Sequence, residues 1–351
     1  MENQIELADY LNRAQAALGR QFFRMARRNI REIIFIGRFM RRLRRSARLR
    51  REAAGRGDAA PLFLIASITA QCNLRCAGCY HHALRGAAER ERPALDAAAW
   101  GRIFDEAAAL GVGAILLAGG EPLLRTDVLR AAAARREMLF PVFSNGTLID
   151  SAFLDFFDMC RNIPPVLSIE GGEAFTDSRR GKGIHTQVFA AMAALKKRRI
   201  LFGVSVTVTH ANTGTVMTQQ FIGEITAAGA RAVVFVEYIP ADNGEQAMTL
   251  AERDSLAGRI AGLRKQNPAI LILLFPGDEA ESGGCLAAGR GFFHISAAGD
   301  AEPCPFAPQS DTNLREIPLS KALSSPLFTS LRENGALNSL SGAPCRLLGA
   351  K

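Results

Sequence analysis

The chain contains, at residues 62–80, the stretch LFLIASITAQCNLRCAGCY, in which an apolar run is followed closely by three cysteines. The apolar part, Leu62–Thr69, has the length and composition of a buried strand. Cys72, Cys76 and Cys79 follow with the spacing Cys-x3-Cys-x2-Cys. The stretch therefore predicts a strand whose carboxyl end leads into a loop that carries three thiols.

Three thiolates at this spacing can surround one face of a metal centre. A closed tetrahedral zinc site needs four ligands, whereas three cysteines suit a [4Fe–4S] cluster whose fourth iron stays open to a substrate or cofactor. Two alternatives remain open from the residues alone. The cysteines are either buried without a metal, or they form a zinc site that His81 or His82 completes.

Short apolar segments alternate with helical segments from Pro61 to about Pro276. The predicted strands are Leu62–Thr69, Ala114–Ala118, Leu139–Phe143, Val166–Ile169, Leu201–Val208, Ala232–Tyr238 and Ile270–Phe275. The predicted helices are Leu95–Leu110, Val128–Glu137, Ala152–Cys160, Gln187–Arg199, Val216–Ala228 and Leu250–Lys265. This alternation indicates parallel βαβ units. We predict an α/β fold with a partial (β/α)6 TIM-like barrel, and a doubly wound sheet is the alternative.

The cysteine spacing, placed after the first strand of such an array, resembles that of the radical S-adenosylmethionine (SAM) superfamily. The resemblance implies that Cys72, Cys76 and Cys79 hold a [4Fe–4S] cluster and that SAM chelates the open iron. It also implies that the reduced cluster splits SAM into methionine and a 5′-deoxyadenosyl radical. Many members carry an aromatic residue directly before the third cysteine, where this chain has Gly78, with Tyr80 after the cysteine.

A second motif, Gly119-Gly120-Glu121-Pro122, directly follows the second predicted strand. Two glycines allow the backbone to approach a neighbour closely, and a carboxylate accepts hydrogen bonds from an ammonium group. The motif resembles the one that binds the SAM amino group in the family. The resemblance makes Glu121 the expected partner of that ammonium.

Polar residues end the next two predicted strands. Ser144 and Asn145 end the third, and Ser168 and Glu170 end the fourth, where family members place polar groups around the SAM ribose and methionine. Arg180 stands where relatives carry an arginine that faces the SAM carboxylate, a pairing suited to guanidinium. No side chain is singled out as a hydrogen-atom donor, and the histidines after the cysteine loop are expected to be solvated.

Cysteines recur near the carboxyl end of the chain. Cys285 and Cys304 are separated by a segment that contains Gly299, in the order Cys-x13-Gly-x4-Cys, and Cys345 comes later. This order resembles the opening of the SPASM or twitch extension of radical SAM enzymes. The resemblance implies an auxiliary iron–sulfur cluster held by these three cysteines, with a structural zinc or no metal as the alternatives. Cys160 is expected to be a core residue.

The positive charge of the chain is concentrated in residues 1–57. This segment holds 15 arginines, no lysine and five acidic residues, whereas the remainder has 28 basic and 29 acidic residues. Apolar residues recur at helical spacing through residues 5–45 and predict one amphipathic helix, and Arg51–Pro61 is predicted to be a linker. The helix is expected either to pack on the body, or to dock on an anionic membrane or a partner protein. Nucleic acid is not an expected ligand, because no aromatic pattern interleaves the arginines.

Length and composition limit the remaining possibilities. The chain has 351 residues, 48% of them hydrophobic and 22% charged, which is typical of a globular protein. We predict a leader and linker at residues 1–57, a radical SAM core at 58–276 and a SPASM-like domain at 277–351. We expect no signal peptide and no membrane span, and seven reduced cysteines. A cytoplasmic protein is expected, either free or peripheral at the inner face of the membrane.

The expected function is that of a radical SAM enzyme acting on a peptide or a small molecule. An electron donor such as a flavodoxin or a ferredoxin is an expected partner. Two alternatives are an iron–sulfur electron-transfer or scaffold protein that does not cleave SAM, and a zinc-stabilised regulatory module. The Gly119–Glu121 motif favours the enzyme, because neither alternative needs a site for the SAM amino group.

Overall fold

A central parallel sheet organises the molecule. The computed structural model describes residues 2–25, 29–85, 91–240, 246–276, 283–337 and 347. The strands are β1 (Phe63–Thr69), β2 (Ala114–Gly119), β3 (Val142–Ser144), β4 (Pro165–Ile169), β5 (Gly203–Val208), β6 (Ala232–Glu237), β7 (Leu271–Phe275), β8 (His294–Ile295) and β9 (Ala301–Glu302). All seven strands predicted from the apolar runs are present. The residues of β1, β4 and β5 are almost all buried, as expected for strands covered on both faces.

The strand order is β7-β6-β5-β4-β3-β2-β1-β8-β9. Strands β1 to β7 are therefore neighbours in chain order and parallel throughout. This order has no reversal point, which excludes the doubly wound alternative. Because β1 pairs with β2 on one side and β8 on the other, the sheet does not close on β7, and the fold is a partial TIM-like barrel.

Helices fill the crossovers between these strands. They are α3 (Tyr80–Leu84), α4 (Ala97–Ala109), α5 (Thr126–Ala133), α6 (Ser151–Met159), α7 (Glu173–Arg180), α8 (Ile184–Lys197), α9 (Thr213–Val216), α10 (Gln219–Ala228) and α11 (Leu250–Gln266). Two further helices, α12 (Leu319–Ala322) and α13 (Pro326–Glu333), follow β9. All six helices predicted between strands are present, with shifted ends. The short helix α7 follows β4 and was not predicted, because its sequence is mostly polar.

The amino-terminal segment forms two helices, α1 (Glu2–Met25) and α2 (Ile30–Arg56), so the prediction of one helix over residues 5–45 was wrong. Asn29 begins α2, and its side chain accepts a hydrogen bond from the backbone N–H of Arg31 at 3.0 Å. Helix α2 ends at Gly57, whose φ is 82°. The first half of the predicted linker is therefore helical.

Helix α2 packs on the body of the molecule through a buried face. Ile36, Phe39 and Leu43 are buried in a cluster that includes Leu139. Three charged residues of this helix, Glu32, Arg42 and Arg50, are also buried. Arg50 donates to the Asn12 side chain and the Gly111 carbonyl, each at 2.9 Å. Glu32 forms an ion pair of 3.0 Å with Arg161. These contacts confirm the expectation that the amino-terminal segment packs on the body of the molecule. They do so for one face of α2 only. No described helix is long and apolar enough to cross a membrane.

The carboxyl-terminal hairpin extends the same sheet. Strand β8 pairs in parallel with β1 and in antiparallel with β9, and His294 is opposite Glu302. Gly299 lies in the turn between the two strands with a φ of 99°. The hairpin is thus placed beside the strand that leads into the cysteine loop.

Candidate functional site

The cysteine loop is fixed by the glycines of the second motif. The backbone N–H of Gly120 donates to the Thr69 carbonyl, and that of Glu121 donates to the Gln71 carbonyl, both at 2.8 Å. A Cβ at Gly120 would lie only 2.0 Å from the Gln71 carbonyl oxygen. The two glycines therefore allow the turn after β2 to approach the backbone that immediately precedes Cys72.

Glu121 joins the ends of β2 and β3. Its carboxylate is almost completely buried and accepts hydrogen bonds from the Ser144 hydroxyl and the Asn145 backbone N–H, both at 2.8 Å. It also accepts from the backbone N–H of Leu123 at 3.0 Å. Burial raises the pKa of Glu121, and these donors oppose the rise. Contact between Glu121 and the SAM ammonium stays a prediction.

Asn145 connects the end of β3 with the cysteine loop. Its Nδ2 donates to Oδ1 of Asn73 at 2.8 Å and lies 4.0 Å from Sγ of Cys72. Asn73 in turn donates to the hydroxyl of Thr147 at 2.8 Å. Hydrogen bonds to cysteine sulfur tune the reduction potential of iron–sulfur clusters. Asn145 is thus placed beside the sulfur of Cys72.

Helix α7 brings two arginines to the other side of the loop. Nη2 of Arg180 lies 2.5 Å from Oε1 of Glu170, and Nε of Arg179 lies 3.5 Å from the same oxygen. Glu170 is buried, and its second oxygen accepts from the backbone N–H of Thr207 at 3.0 Å. Arg179 also binds the loop, because its carbonyl accepts from the backbone N–H of Ala77 at 2.8 Å. The sequence singled out Arg180 but not Arg179.

The electrostatics of the thiols depend on these neighbours. Burial raises the pKa of the Cys72 and Cys76 thiols, and Cys79 raises both further. Arg180 opposes the rise at Cys76, and Glu121 adds to it at Cys72. The three cysteines, Glu121 and Arg180 are therefore close enough to interact, and metal binding by the half-buried Cys72 and Cys76 thiols would release protons.

Tyr238 occupies the space above Gly78. A Cβ at Gly78 would lie 2.9 Å from a ring carbon and 2.9 Å from the hydroxyl oxygen of Tyr238, and the φ of Gly78 is 62°. The guanidinium carbon of Arg179 lies 5.7 Å from the centre of the same ring. Tyr238 directly follows β6 and places an aromatic ring beside residue 78, the position before the third cysteine. Residue 78 itself is a glycine and has no side chain.

The histidines after the loop differ from expectation. His81 is buried and its Nε2 donates to the Ala70 carbonyl at 3.1 Å, so the prediction of a solvated side chain was wrong for this residue. Burial lowers the pKa of His81 to about 4. His82 is half-buried and lines a cavity of about 380 Å³ together with Cys72 and Asn73.

The remaining predicted residues fall into two groups. Ser168 lies within β4, where its hydroxyl is 3.1 Å from that of Ser205 on β5, and Pro122 begins a short 3-10 turn after Glu121. Cys285 and Cys304 flank the β8–β9 hairpin, and Cys345 lies outside the described residues. Within the described ranges, no group of three or more His, Cys, Asp or Glu side chains is arranged to hold a single metal ion.

Comparison with known proteins identifies the class that this fold and site define. Residues 66–214 match the model of the radical SAM superfamily. The chain is 26% identical over 306 residues to an AdoMet-dependent heme synthase of Methanosarcina barkeri, covering 78% of this chain and 85% of the relative. It is 24% identical over 286 residues to a PqqA peptide cyclase of Gluconobacter oxydans, covering 78% and 79%.

Solved structures share the fold. Streptococcus suis SuiB bound to its precursor peptide SuiA gives a TM-score of 0.66 at 18% identity, covering 87% of this chain and 74% of SuiB. The enzyme anSMEcpe with bound AdoMet gives a TM-score of 0.60 at 16% identity, covering 76% and 81%. The chain therefore carries a radical SAM domain and is a radical SAM enzyme. Its cofactors are accordingly a [4Fe–4S] cluster and SAM.

The described residues fit these cofactors. Cys72, Cys76 and Cys79 are three soft thiol donors on one loop, which suits iron–sulfur ligation. Nε of Arg180 and Nη1 of Arg179 are buried and have no hydrogen-bond partner within the described residues. Such donors beside the loop suit an anionic group, and the SAM carboxylate is one. The fit thus rests on the three thiols as iron ligands and on the N–H groups of Arg179 and Arg180 that remain available for hydrogen bonds.

Proposed function

We propose that this chain holds a [4Fe–4S] cluster through Cys72, Cys76 and Cys79 and uses it to cleave SAM reductively. When bound, the reduced cluster and SAM supply a 5′-deoxyadenosyl radical, which abstracts hydrogen from the substrate. The observation that carries the proposal is the network from Glu121 through Ser144 and Asn145 to the cysteine loop. It unites the ends of β1, β2 and β3 around the thiols.

The side chains around the loop have separate roles in this proposal. Arg180 binds the SAM carboxylate, and Glu170 orients Arg180 through their 2.5 Å ion pair. The Gly119–Pro122 turn fixes the loop and presents Glu121 to the SAM amino group. Asn145, Ser144 and Ser168 supply polar contacts to the rest of SAM. Holding the reactive carbon in one place and excluding water is the main contribution of the protein to such chemistry.

We propose a peptide or a small molecule as the substrate. Among the relatives, the heme synthase matches along most of both chains, and so does a PqqA peptide cyclase. A flavodoxin or a ferredoxin is the proposed electron donor. Residues 58–276 are the proposed core. Residues 277–351 are proposed to carry an auxiliary iron–sulfur cluster on Cys285, Cys304 and Cys345.

The experiment is SAM cleavage by the anaerobically reconstituted full-length chain with dithionite. We expect 5′-deoxyadenosine from the wild type and from the control variant Cys160→Ala, whose cysteine follows α6 outside the site. The variant with Cys72, Cys76 and Cys79 all changed to Ala should give none. No product from a wild type that contains its cluster would overturn the proposal.

A further inference from the structure

An arginine-lined cavity separates α2 from the segments around α4 and α5. Its volume is about 670 Å³, and its lining includes six arginines, namely Arg38, Arg41, Arg42, Arg45, Arg135 and Arg136. Two acidic residues of the lining are paired: Asp105 with Arg135 at 2.6 Å, and Glu137 with Arg42 at 3.7 Å. The cavity therefore carries four positive charges in excess.

Those excess charges lack ion-pair partners. Within the described ranges, Arg38, Arg41, Arg45 and Arg136 are exposed and make no ion pair. Arg42 is different, because its side chain is only 2% exposed, and its Nε has no hydrogen-bond partner in the described part of the chain. A guanidinium group binds phosphate oxygens through paired N–H donors. The cavity thus has the chemistry of a phosphate site.

On the amino-terminal side of this cavity, the outer face of α2 is apolar. Ile30, Ile33 and Ile34 are 67%, 40% and 51% exposed. Ile30, Ile34, Arg38, Arg41 and Arg45 follow one another at steps of three or four residues, which places them on one side of the helix. Adjacent exposed isoleucines are costly in water and mark a contact surface. The same helix face is therefore apolar near its amino end and basic beyond it.

We propose that this face of α2 docks on a membrane of anionic phospholipid. The isoleucines enter the boundary between headgroups and acyl chains, and the arginine cavity takes lipid phosphates. Charge complementarity favours an anionic membrane, because four arginines without ion-pair partners need a polyanionic surface. A free phosphate would fill the cavity but would leave the exposed isoleucines in water. Nucleic acid is disfavoured, since the cavity lining offers no aromatic side chain for base stacking.

The test compares full-length variants by co-sedimentation with vesicles of phosphatidylcholine alone or with 30% phosphatidylglycerol. The double variant Arg38→Glu/Arg41→Glu should lower partitioning onto the anionic vesicles at least tenfold. The double variant Ile30→Ser/Ile34→Ser should lower it as well. The control Lys197→Glu/Lys265→Glu makes the same change in charge at exposed positions of α8 and α11 and should leave partitioning within twofold of the wild type. Circular dichroism verifies that each variant is folded.

Salt and soluble competitors separate the other occupants. Partitioning of the wild type should fall steeply between 100 mM and 1 M salt, because the Debye length shrinks from about 10 Å to about 3 Å over this range. Binding of glycerol phosphate without vesicle binding would overturn the proposal in favour of a free phosphate ligand. A dimer that the isoleucine variant dissociates, measured by light scattering, would overturn it in favour of a second copy. Equal vesicle binding by the wild type and the arginine variant would also overturn it.

Discussion

Arg85 and Glu302 are joined by two hydrogen bonds, of 3.1 and 2.5 Å, although they are 217 residues apart in the chain. Both side chains are almost completely buried. Glu302 also lies 2.6 Å from Nδ1 of His294, whose Nε2 lies 2.8 Å from the hydroxyl of Ser67 on β1. The segment after α3 and the carboxyl-terminal hairpin are thereby fastened to each other and to the strand that precedes the cysteines.

We predict that Glu302→Ala lowers the free energy of unfolding of the apo protein by about 3–5 kcal/mol, because Arg85 would remain buried without its carboxylate. Urea unfolding measures this loss. The control is Arg92→Ala, which removes an ion pair with Asp300 of the same hairpin whose arginine is 46% exposed. The control should lose only about 0–1 kcal/mol. Equal losses in the two variants would contradict the prediction.

Gly120 leads to a second prediction, which concerns assembly of the cluster. Since a Cβ at residue 120 would lie 2.0 Å from the Gln71 carbonyl oxygen, Gly120→Ala must displace the backbone before Cys72. We expect the reconstituted variant to lose most of the iron held by Cys72, Cys76 and Cys79. Iron and sulfide content measure this loss, in a background where Cys285 and Cys304 are changed to Ala.

The matched control for this change is Gly223→Ala. Gly223 lies within α10, and a Cβ there would meet no atom within 4 Å. An alanine in a helix interior is more favourable than a glycine by about 0.5–1 kcal/mol. The control should therefore keep its full iron content and a slightly raised stability. Full cluster content in Gly120→Ala would show that the loop does not depend on this close approach.

The sequence predicted the sheet well because buried parallel strands are continuous apolar runs, as at Leu62–Thr69. It failed at Asn29, because apolar residues continue at helical spacing on both sides of it and only the capping side chain of Asn29 marks the start of α2. Arg179 was not assigned to the site, since its approach to Gly78 depends on tertiary packing. The burial of His81 was missed for the same reason, because burial of a loop residue leaves no periodic signal.

A third prediction concerns the auxiliary cluster. If Cys285, Cys304 and Cys345 hold a cluster of their own, the Cys72/Cys76/Cys79→Ala variant should retain about one [4Fe–4S] cluster per chain after reconstitution. Adding Cys285→Ala to that variant should remove the remaining iron, whereas adding Cys160→Ala should not. Iron and sulfide analysis with electron paramagnetic resonance measures both outcomes. A triple variant without iron would show that the carboxyl-terminal cysteines hold no cluster.

The last prediction separates two costs at Gly78. An alanine there would be strained by the positive φ of 62° and would also meet the ring of Tyr238 at 2.9 Å. The conformational cost is about 1–2 kcal/mol, and the collision adds to it. We therefore expect Gly78→Ala to cost more in the wild type than in a Tyr238→Ala background, where only the conformational cost remains. Urea unfolding of the four proteins of this double-mutant cycle measures the difference.

Gly183→Ala is the control for the cycle, because Gly183 has a φ of 81° and a Cβ there would meet no atom within 4 Å. Gly183→Ala should lower the free energy of unfolding by the conformational cost alone, and by the same amount with and without Tyr238. A cost for Gly78→Ala that does not change when Tyr238 is removed would show that the ring does not restrict this position. A smaller cost in the Tyr238→Ala background, together with a constant cost at Gly183, would establish that the Tyr238 ring occupies the space that a side chain at residue 78 would need.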